Sequence, residues 1–154
     1  MPSQTKREYD DAYPTCFETY STLRVFSDAV SPEEITMALQ IEPTRAFHKG
    51  DVHSQGKLRR KAHGWFFSTE GHSDSRDTRR HIDIILSALD GRQDSLKELR
   101  SKDCAIDITS YYVSTGQGGP CLWPHQMSKL GEFDIPVWWD VYFKREGKVR
   151  SAET

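Results

Sequence analysis

Apolar and polar residues alternate along several short segments of the chain, and this period of two predicts β-strands. In the first of these segments, Leu23 and Val25 occupy one side, while Arg24 and Phe26 occupy the other. Such a strand is buried on one side only. The predicted strands cover residues 20–27, 45–49, 64–69, 104–113 and 136–143.

In other segments apolar residues recur every three or four positions, which is typical of helices with one buried face. Ser31 and Glu34 have the spacing of a capping box, and Pro32 suits the first helical position. Pro43 ends this helix, because the residue before a proline avoids the helical region. The other predicted helices cover residues 77–90, 95–101 and 124–131.

The order of these elements predicts an α+β fold. The first six elements follow the ferredoxin-like βαββαβ pattern, and a C-terminal helix and strand extend it. We therefore expect an antiparallel-rich sheet with helices on one face, while the other face meets solvent or binds a partner. We divide the chain into a flexible N-terminal arm (1–18), a single α+β domain (19–144) and a charged tail (145–154).

The composition limits the classes of function. A net charge of -2 provides no overall attraction to nucleic acid or to anionic lipid. The sequence contains neither an apolar run of membrane-spanning length nor a secretory signal pattern, and its three cysteines favour free thiols in a reducing compartment. These features predict a cytoplasmic protein. The glycine-rich loop 115–120 lacks the phosphate-binding lysine and the dinucleotide spacing, so we expect no cofactor.

Two sets of residues are candidates for catalysis. His48, Asp51 and His53 lie close together in sequence and could bind zinc, but no established zinc motif contains them. Cys121 precedes a predicted helix and His125 follows four residues later, so the pair could form a thiol nucleophile and its base. A polar strand end and a structural cysteine explain the same residues. A small hydrolase or metal-dependent enzyme is therefore a secondary hypothesis.

A basic loop and the strand after it suggest a second alternative, RNA binding. Residues 57–61 carry two lysines and two arginines, and strand 64–69 contains Trp65 and Phe66. Basic side chains contact phosphates, while aromatic rings stack on bases. The glycine and aromatic spacing matches the RNA-binding motif only in part.

Several stretches of the chain resemble the bacterial family called domain of unknown function 4279. The matching stretches are TLRVF, SPEEITMALQIEPTRAFHKGD, GWFF, TSYYVSTGQGGPCLW and IPVWWDVYF. Together they span residues 20–143. The resemblance implies a compact bacterial α+β domain and implies no reaction or catalytic residues.

From these observations we predict a non-catalytic module that binds another protein, in the manner of immunity-type or regulatory domains. Arginine and aromatic residues are the usual anchors of interfaces. Asp140 lies among aromatic residues, and we expect it to pair with Arg24 or Arg45. The predicted contact residues are Arg45, Lys49, Asp51, Arg59, Arg60, Trp65, Trp123 and Trp138.

Overall fold

The structure is a computed structural model that describes residues 8–53, 55–145 and 148–151. The strands are β1 (Cys16–Ser27), β2 (Arg45–Phe47), β3 (His63–Ser68), β4 (Ala105–Ser114), β5 (Val137–Arg145) and β6 (Lys148–Ser151). The helices are α1 (Pro32–Leu39), α2 (Thr78–Ala88), α3 (Gln93–Ser101) and α4 (Pro124–Phe133).

The strands form one mixed sheet in the order β2-β3-β1-β4-β5-β6. Strand β1 lies in its interior and pairs antiparallel with β3 on one edge and β4 on the other. Only β4 and β5 run parallel, and helix α4 lies between them in sequence. These features confirm the α+β class, and the sheet is mixed.

The core forms between one side of the sheet and the helices. Along β1, Leu23 and Val25 are fully buried, and they alternate with partly exposed residues. The buried helix residues that share this core include Ile35, Leu39, Ile82, Ile85, Leu96, Leu99, Leu130 and Phe133. No helix in the described part of the chain is both long enough and apolar enough to cross a membrane.

Local signals at the helix ends agree with the structure. At α1, the backbone N–H of Glu34 donates to Ser31 Oγ (3.3 Å), and the N–H of Ser31 donates to Glu34 Oε2 (2.8 Å). This is the predicted capping box. At α2, the Asp77 carboxylate caps the helix by accepting from the backbone N–H of Arg79.

Both ends of the chain differ from expectation where the structure describes them. Asp11 in the predicted arm forms an ion pair with Arg80 (2.7 Å), and the backbone N–H of Asp10 donates to Asp77 (2.7 Å). Residues 9–11 are therefore held against α2 and its N-cap Asp77, and β1 already begins at Cys16. In the predicted tail, β6 pairs with β5, and residues 1–7, 146–147 and 152–154 lie outside the described residues.

Truncating the core at the central strand should destabilise the protein strongly. We expect Leu23→Ala to lower the free energy of unfolding by about 2–5 kcal/mol, because the cavity it leaves is enclosed on all sides. Met37 is 74% exposed, so Met37→Ala is the control and should change stability little. Urea unfolding measures both variants, and equal midpoints would contradict the assignment of Leu23 to the core.

The contact between the arm and α2 should make stability depend on pH at acidic values. Hydrogen bonds from Arg80 and Ser75 lower the pKa of Asp11 from 3.8 to about 2. A carboxyl group with a lowered pKa stabilises the folded state above its unfolded pKa, and this contribution disappears as the pH falls through the folded pKa.

Between about pH 4 and pH 2, we therefore expect the free energy of unfolding of wild type to fall further than that of Asp11→Asn. Because the pair is half-exposed, the difference should stay below about 1 kcal/mol. Urea midpoints at several pH values measure it. Parallel pH profiles for the two proteins would show that Asp11 is not held in this contact.

Candidate functional site

The side of the sheet that faces away from the helices is the most distinctive surface of the protein. Odd positions of β1 such as Leu23 point into the core, so even positions such as Arg24 point to the opposite side. We call that side the open face. Its residues include Tyr20, Thr22, Arg24, Phe26, Arg45, Phe47, Phe66, Ser68, Asp107, Thr109, Tyr111, Trp138, Asp140 and Tyr142.

At the β2 edge of the open face, arginine side chains lie over phenylalanine rings. The Arg60 Cζ is 4.0 Å from the ring centre of Phe47, and the Arg45 Cζ is 5.8 Å from that centre. Arg45 also lies 5.7 Å from the ring centre of Phe66, which contacts Phe26 edge to face. Each cation–π contact at an exposed site stabilises the folded protein by about 0.5–1 kcal/mol. These contacts hold both guanidinium groups against the face.

An ion pair occupies the centre of the open face. Arg24 donates two hydrogen bonds to the Asp107 carboxylate, at 2.7 and 2.8 Å, and this raises the pKa of Arg24. Arg24 therefore does not pair with Asp140 as predicted, because the register of β1 and β4 places Asp107 directly opposite it. Asp140 instead accepts a hydrogen bond from the Tyr142 hydroxyl (2.9 Å).

The β5 side of the open face is rich in tyrosine and tryptophan. The rings of Tyr20 and Tyr111 stack at 4.7 Å, and Tyr142 lies 5.1 Å from Tyr111. Burial, with a smaller effect of the Glu70 charge, raises the pKa of Tyr20 to about 12. Its phenol is therefore protonated at neutral pH. Trp138 is 60% exposed beyond this tyrosine cluster.

The loop between β2 and β3 adds positive charge next to the Arg–Phe stacks. The segment from Arg45 to His63 contains six lysine or arginine residues and one acid, Asp51. Arg59 donates to the Gly50 carbonyl (2.9 Å), so part of this loop is held in a defined conformation. The two flanking strands form an antiparallel hairpin.

The histidines near this hairpin have other partners than a metal ion. His48 Nε2 lies 2.8 Å from Glu33 Oε1, and His48 Nδ1 lies 3.8 Å from Asp51. His63 Nδ1 accepts from the backbone N–H of Lys49 (3.0 Å), and the His53 side chain is exposed. In the described ranges, no three His, Cys, Asp or Glu side chains come together as metal ligands.

The predicted thiol and imidazole have different neighbours. Cys121 is exposed and lines a cavity beside Asp77, whereas His125 is not among the residues that line this cavity. His125 Nε2 lies 3.6 Å from Asp83 Oδ1, and its ring stacks on Trp123. No hydrogen bond joins Cys121 to His125 in the described part of the chain, and a catalytic role of the pair stays a prediction.

The three predicted tryptophan contacts differ in exposure. Trp65 is 0% exposed and donates to Thr36 Oγ1 (3.0 Å), so its assignment to a contact surface is corrected. It faces the helices because it alternates with Phe66 on β3. Trp123 is partly buried under Arg79, whose Cζ is 4.3 Å from the ring centre. Of these three tryptophans, Trp138 alone has a freely exposed ring.

Sequence reasoning missed the aromatic residues of the open face as one surface. Phe26, Phe47, Tyr20 and Tyr111 were not among the predicted contact residues. Phe47 contacts Arg45 and Arg60, Phe26 contacts Phe66, and Tyr20 stacks on Tyr111. A signal existed, because aromatic residues occupy the positions where a half-buried strand normally carries polar residues. Placing them on one surface required the strand order.

The fold and the open face together define a class of protein: an α+β domain whose mixed sheet carries helices on one side and arginine and aromatic residues on the other. The chain belongs to the family described as "Domain of unknown function (DUF4279)", whose model matches residues 17–144. This confirms the resemblance. Neither the curated proteins nor the solved structures include a significant match to the chain.

The Arg–Phe stacks depend on a glycine. A Cβ at Gly64 would lie 2.3 Å from Phe47 Cζ, so Gly64→Ala must displace the Phe47 ring and the Arg60 side chain above it. We expect a loss of about 1–3 kcal/mol in the free energy of unfolding. Urea unfolding followed by near-UV circular dichroism measures the change.

The matched control is Gly116→Ala, since a Cβ at that position meets no atom within 4 Å. Its unfolding midpoint should stay close to that of wild type. If Gly64→Ala and Gly116→Ala had the same midpoint, the close packing of Phe47 over β3 would be refuted.

Proposed function

We propose that this protein is a non-catalytic module that binds an acidic surface of another protein through the open face and the basic loop Lys57–Lys61. The observation that carries the proposal is the group of arginines held on phenylalanine rings: Arg60 on Phe47, and Arg45 on Phe47 and Phe66. Arginine and aromatic side chains dominate the binding energy of protein interfaces.

The charge distribution supports an acidic partner. The whole chain has a net charge of -2, yet the segment 45–63 carries six basic residues and one acid. Positive charge is therefore concentrated around β2 and its loop. Complementary charge steers association and disfavours partners of like charge. An acidic protein surface would meet this region favourably.

The arginine side chains are held in place before any partner binds, and this also supports a binding role. Immobilising a flexible side chain at an interface costs about 0.5–1.5 kcal/mol. Arg45 and Arg60 already lie against aromatic rings, and Arg59 already donates to Gly50. Part of that cost is met on folding, so more of the contact energy remains for binding.

RNA binding is the second candidate, because a basic loop next to aromatic rings on an uncovered sheet suits a single strand. One observation makes it the weaker one. The Phe47 and Phe66 rings are covered by arginine side chains, which leaves them less accessible for base stacking.

We also propose a strand arrangement, a location and a biological role. We propose a ferredoxin-like arrangement for the first four strands, supported by their order β2-β3-β1-β4 with antiparallel neighbours. We propose a cytoplasmic location, supported by three free cysteines. We also propose an immunity-type or regulatory role, which rests on analogy with other small binding domains.

Charge reversal on the open face tests the binding proposal. Affinity-tagged wild type, incubated with lysate of its source cells, should recover one protein in equimolar amount. The double variant Arg45→Glu/Arg60→Glu should weaken this complex at least about thirtyfold, since the loss of a single arginine anchor already costs about 2 kcal/mol. Titration of the purified partner measures the dissociation constants.

The matched control is Lys97→Glu/Lys129→Glu, which makes the same charge change on helices α3 and α4. It should bind the partner as wild type does. Retention of the partner by the Arg45/Arg60 variant would exclude the open face as the interface. Recovery of nucleic acid alone, lost on nuclease treatment, would replace the protein-binding function with RNA binding.

A further inference from the structure

The open face carries negative charge at the end opposite its arginines. Glu18 on β1, Glu70 just after β3 and Asp140 on β5 are all exposed. They lie around Tyr20, because burial is the main cause of the raised pKa of Tyr20 and the charges of these three carboxylates add to the rise. We call these three residues the acidic end of the open face.

The acidic end borders an open cleft that suits a cationic side chain. Four acidic residues and one arginine line this cleft, together with the rings of Phe17 and Tyr20. A guanidinium group pairs with carboxylates and also stacks on aromatic rings. The Lys144 ammonium already lies 3.3 Å from the centre of the Phe17 ring, so a cation is accommodated on an aromatic ring here.

The two ends of the open face are too far apart to neutralise each other within one molecule. Arg45 and Asp140 are separated by four strand spacings and four residues, which is about 19 Å across the sheet and about 13 Å along it. Salt screens exposed charges beyond about 8 Å at physiological ionic strength. Arg45, Arg60, Glu18 and Glu70 also form none of the ion pairs found within the described ranges.

The strand register arranges the two ends symmetrically about one row of the sheet. This central row consists of Ser68, Thr22, Thr109 and Trp138, which are partners across β3, β1, β4 and β5. Arg45 is the partner of Phe66, so it lies two residues to one side of the row. Glu70 lies two residues to the other side, because it follows Ser68 by two positions.

Arg60 and Glu18 show the same relation farther from the central row. Arg60 stacks on Phe47, which is level with Phe26, four residues from Thr22. Glu18 lies four residues from Thr22 in the opposite direction along β1. A two-fold axis along the central row therefore brings the arginines of one copy opposite the acidic end of the other.

We propose that two copies of this chain associate through their open faces, with Arg45 and Arg60 of one copy against Glu70 and Glu18 of the other. Each contact then forms twice, as in any dimer with a two-fold axis. The serine and threonines of the central row are short, so the two faces can approach closely. Trp138, which is 60% exposed, adds apolar area at the end of this row.

The size of the open face sets the expected strength of this dimer. From β2 to β5 the face measures about 20 Å by 25 Å, or about 500 Å² on each copy. The total of about 1,000 Å² is at the small end for specific interfaces, where complexes are weak. We therefore expect a Kd of about 100 µM at low salt.

The dimer goes beyond the proposed binding of an acidic partner, which requires only the arginine end of the open face. Because both use Arg45 and Arg60, a second copy covers the surface that such a partner would contact. Self-association is measured on the purified chain, whereas partner binding is measured in lysate. A wild-type chain that stays monomeric would leave partner binding intact, and a dimer that recovers no partner would leave self-association intact.

Sedimentation velocity at low salt tests the dimer. Wild type should associate with the expected Kd and dissociate as salt is added, since salt screens the ion pairs. The variants Arg45→Glu/Arg60→Glu and Glu18→Lys/Glu70→Lys should each weaken self-association at least about tenfold, because like charges then face each other in both halves of the interface. Near-UV circular dichroism checks that each variant keeps the wild-type fold.

A mixture of these two variants tests the pairing itself. In the mixed dimer every reversed residue meets another reversed residue, so the mixture should associate about as strongly as wild type. The matched control replaces the first variant by Lys97→Glu/Lys129→Glu, which has the same net charge but carries its changes on α3 and α4. Alone, this control should associate as wild type does. Its mixture with Glu18→Lys/Glu70→Lys should stay weak, because arginine meets lysine in one half of the interface.

Four results would overturn the proposal. The first is a monomeric wild type at low salt and about 1 mM protein, a concentration tenfold above the expected Kd. The second is a dimer that added salt does not weaken. The third is self-association of either double variant at the wild-type level. The fourth is equal association of the control mixture, which would reduce the effect to attraction between net charges.

Discussion

The hydrogen bonding of β1 on both edges is the constraint from which the other features follow. Strand β1 pairs with β3 and β4 at once, and this places Leu23 opposite Phe67 and Ile108 on one side of the sheet. Arg24 is then opposite Phe66 and Asp107 on the other side. A slip of one residue would exchange the two sides, exposing the core residues and burying the arginine. The burial energy of the core thus keeps the open face in place.

This division separates two surfaces with different chemistry. The open face combines ordered arginines with aromatic rings, and it is the surface through which we propose that the protein binds a partner. The helix side instead carries a small cavity beside Asp77 and Tyr112. Because alternate residues of β4 belong to opposite sides, Tyr111 contributes to the first surface and Tyr112 to the second. Each surface therefore has its own structural basis.

Buried polar groups near the start of α2 form a hydrogen-bond network. His81 is fully buried, yet its Nε2 donates to the Ser75 carbonyl (2.8 Å) and its Nδ1 accepts from the Thr69 hydroxyl (2.6 Å). Desolvation lowers the pKa of His81, so the imidazole stays neutral in this network. Such satisfied groups stabilise the fold.

The sequence alone determined the features that depend on neighbouring residues. The Ser31–Glu34 capping box and the alternation along β1 involve atoms a few positions apart, so their pattern was sufficient to predict them. Tertiary structure decided what depends on distant pairing. Arg24 meets Asp107 across 83 positions, and residues 8–11 attach to α2 more than 60 positions away. Burial of Trp65 likewise follows from packing between elements, which no local pattern encodes.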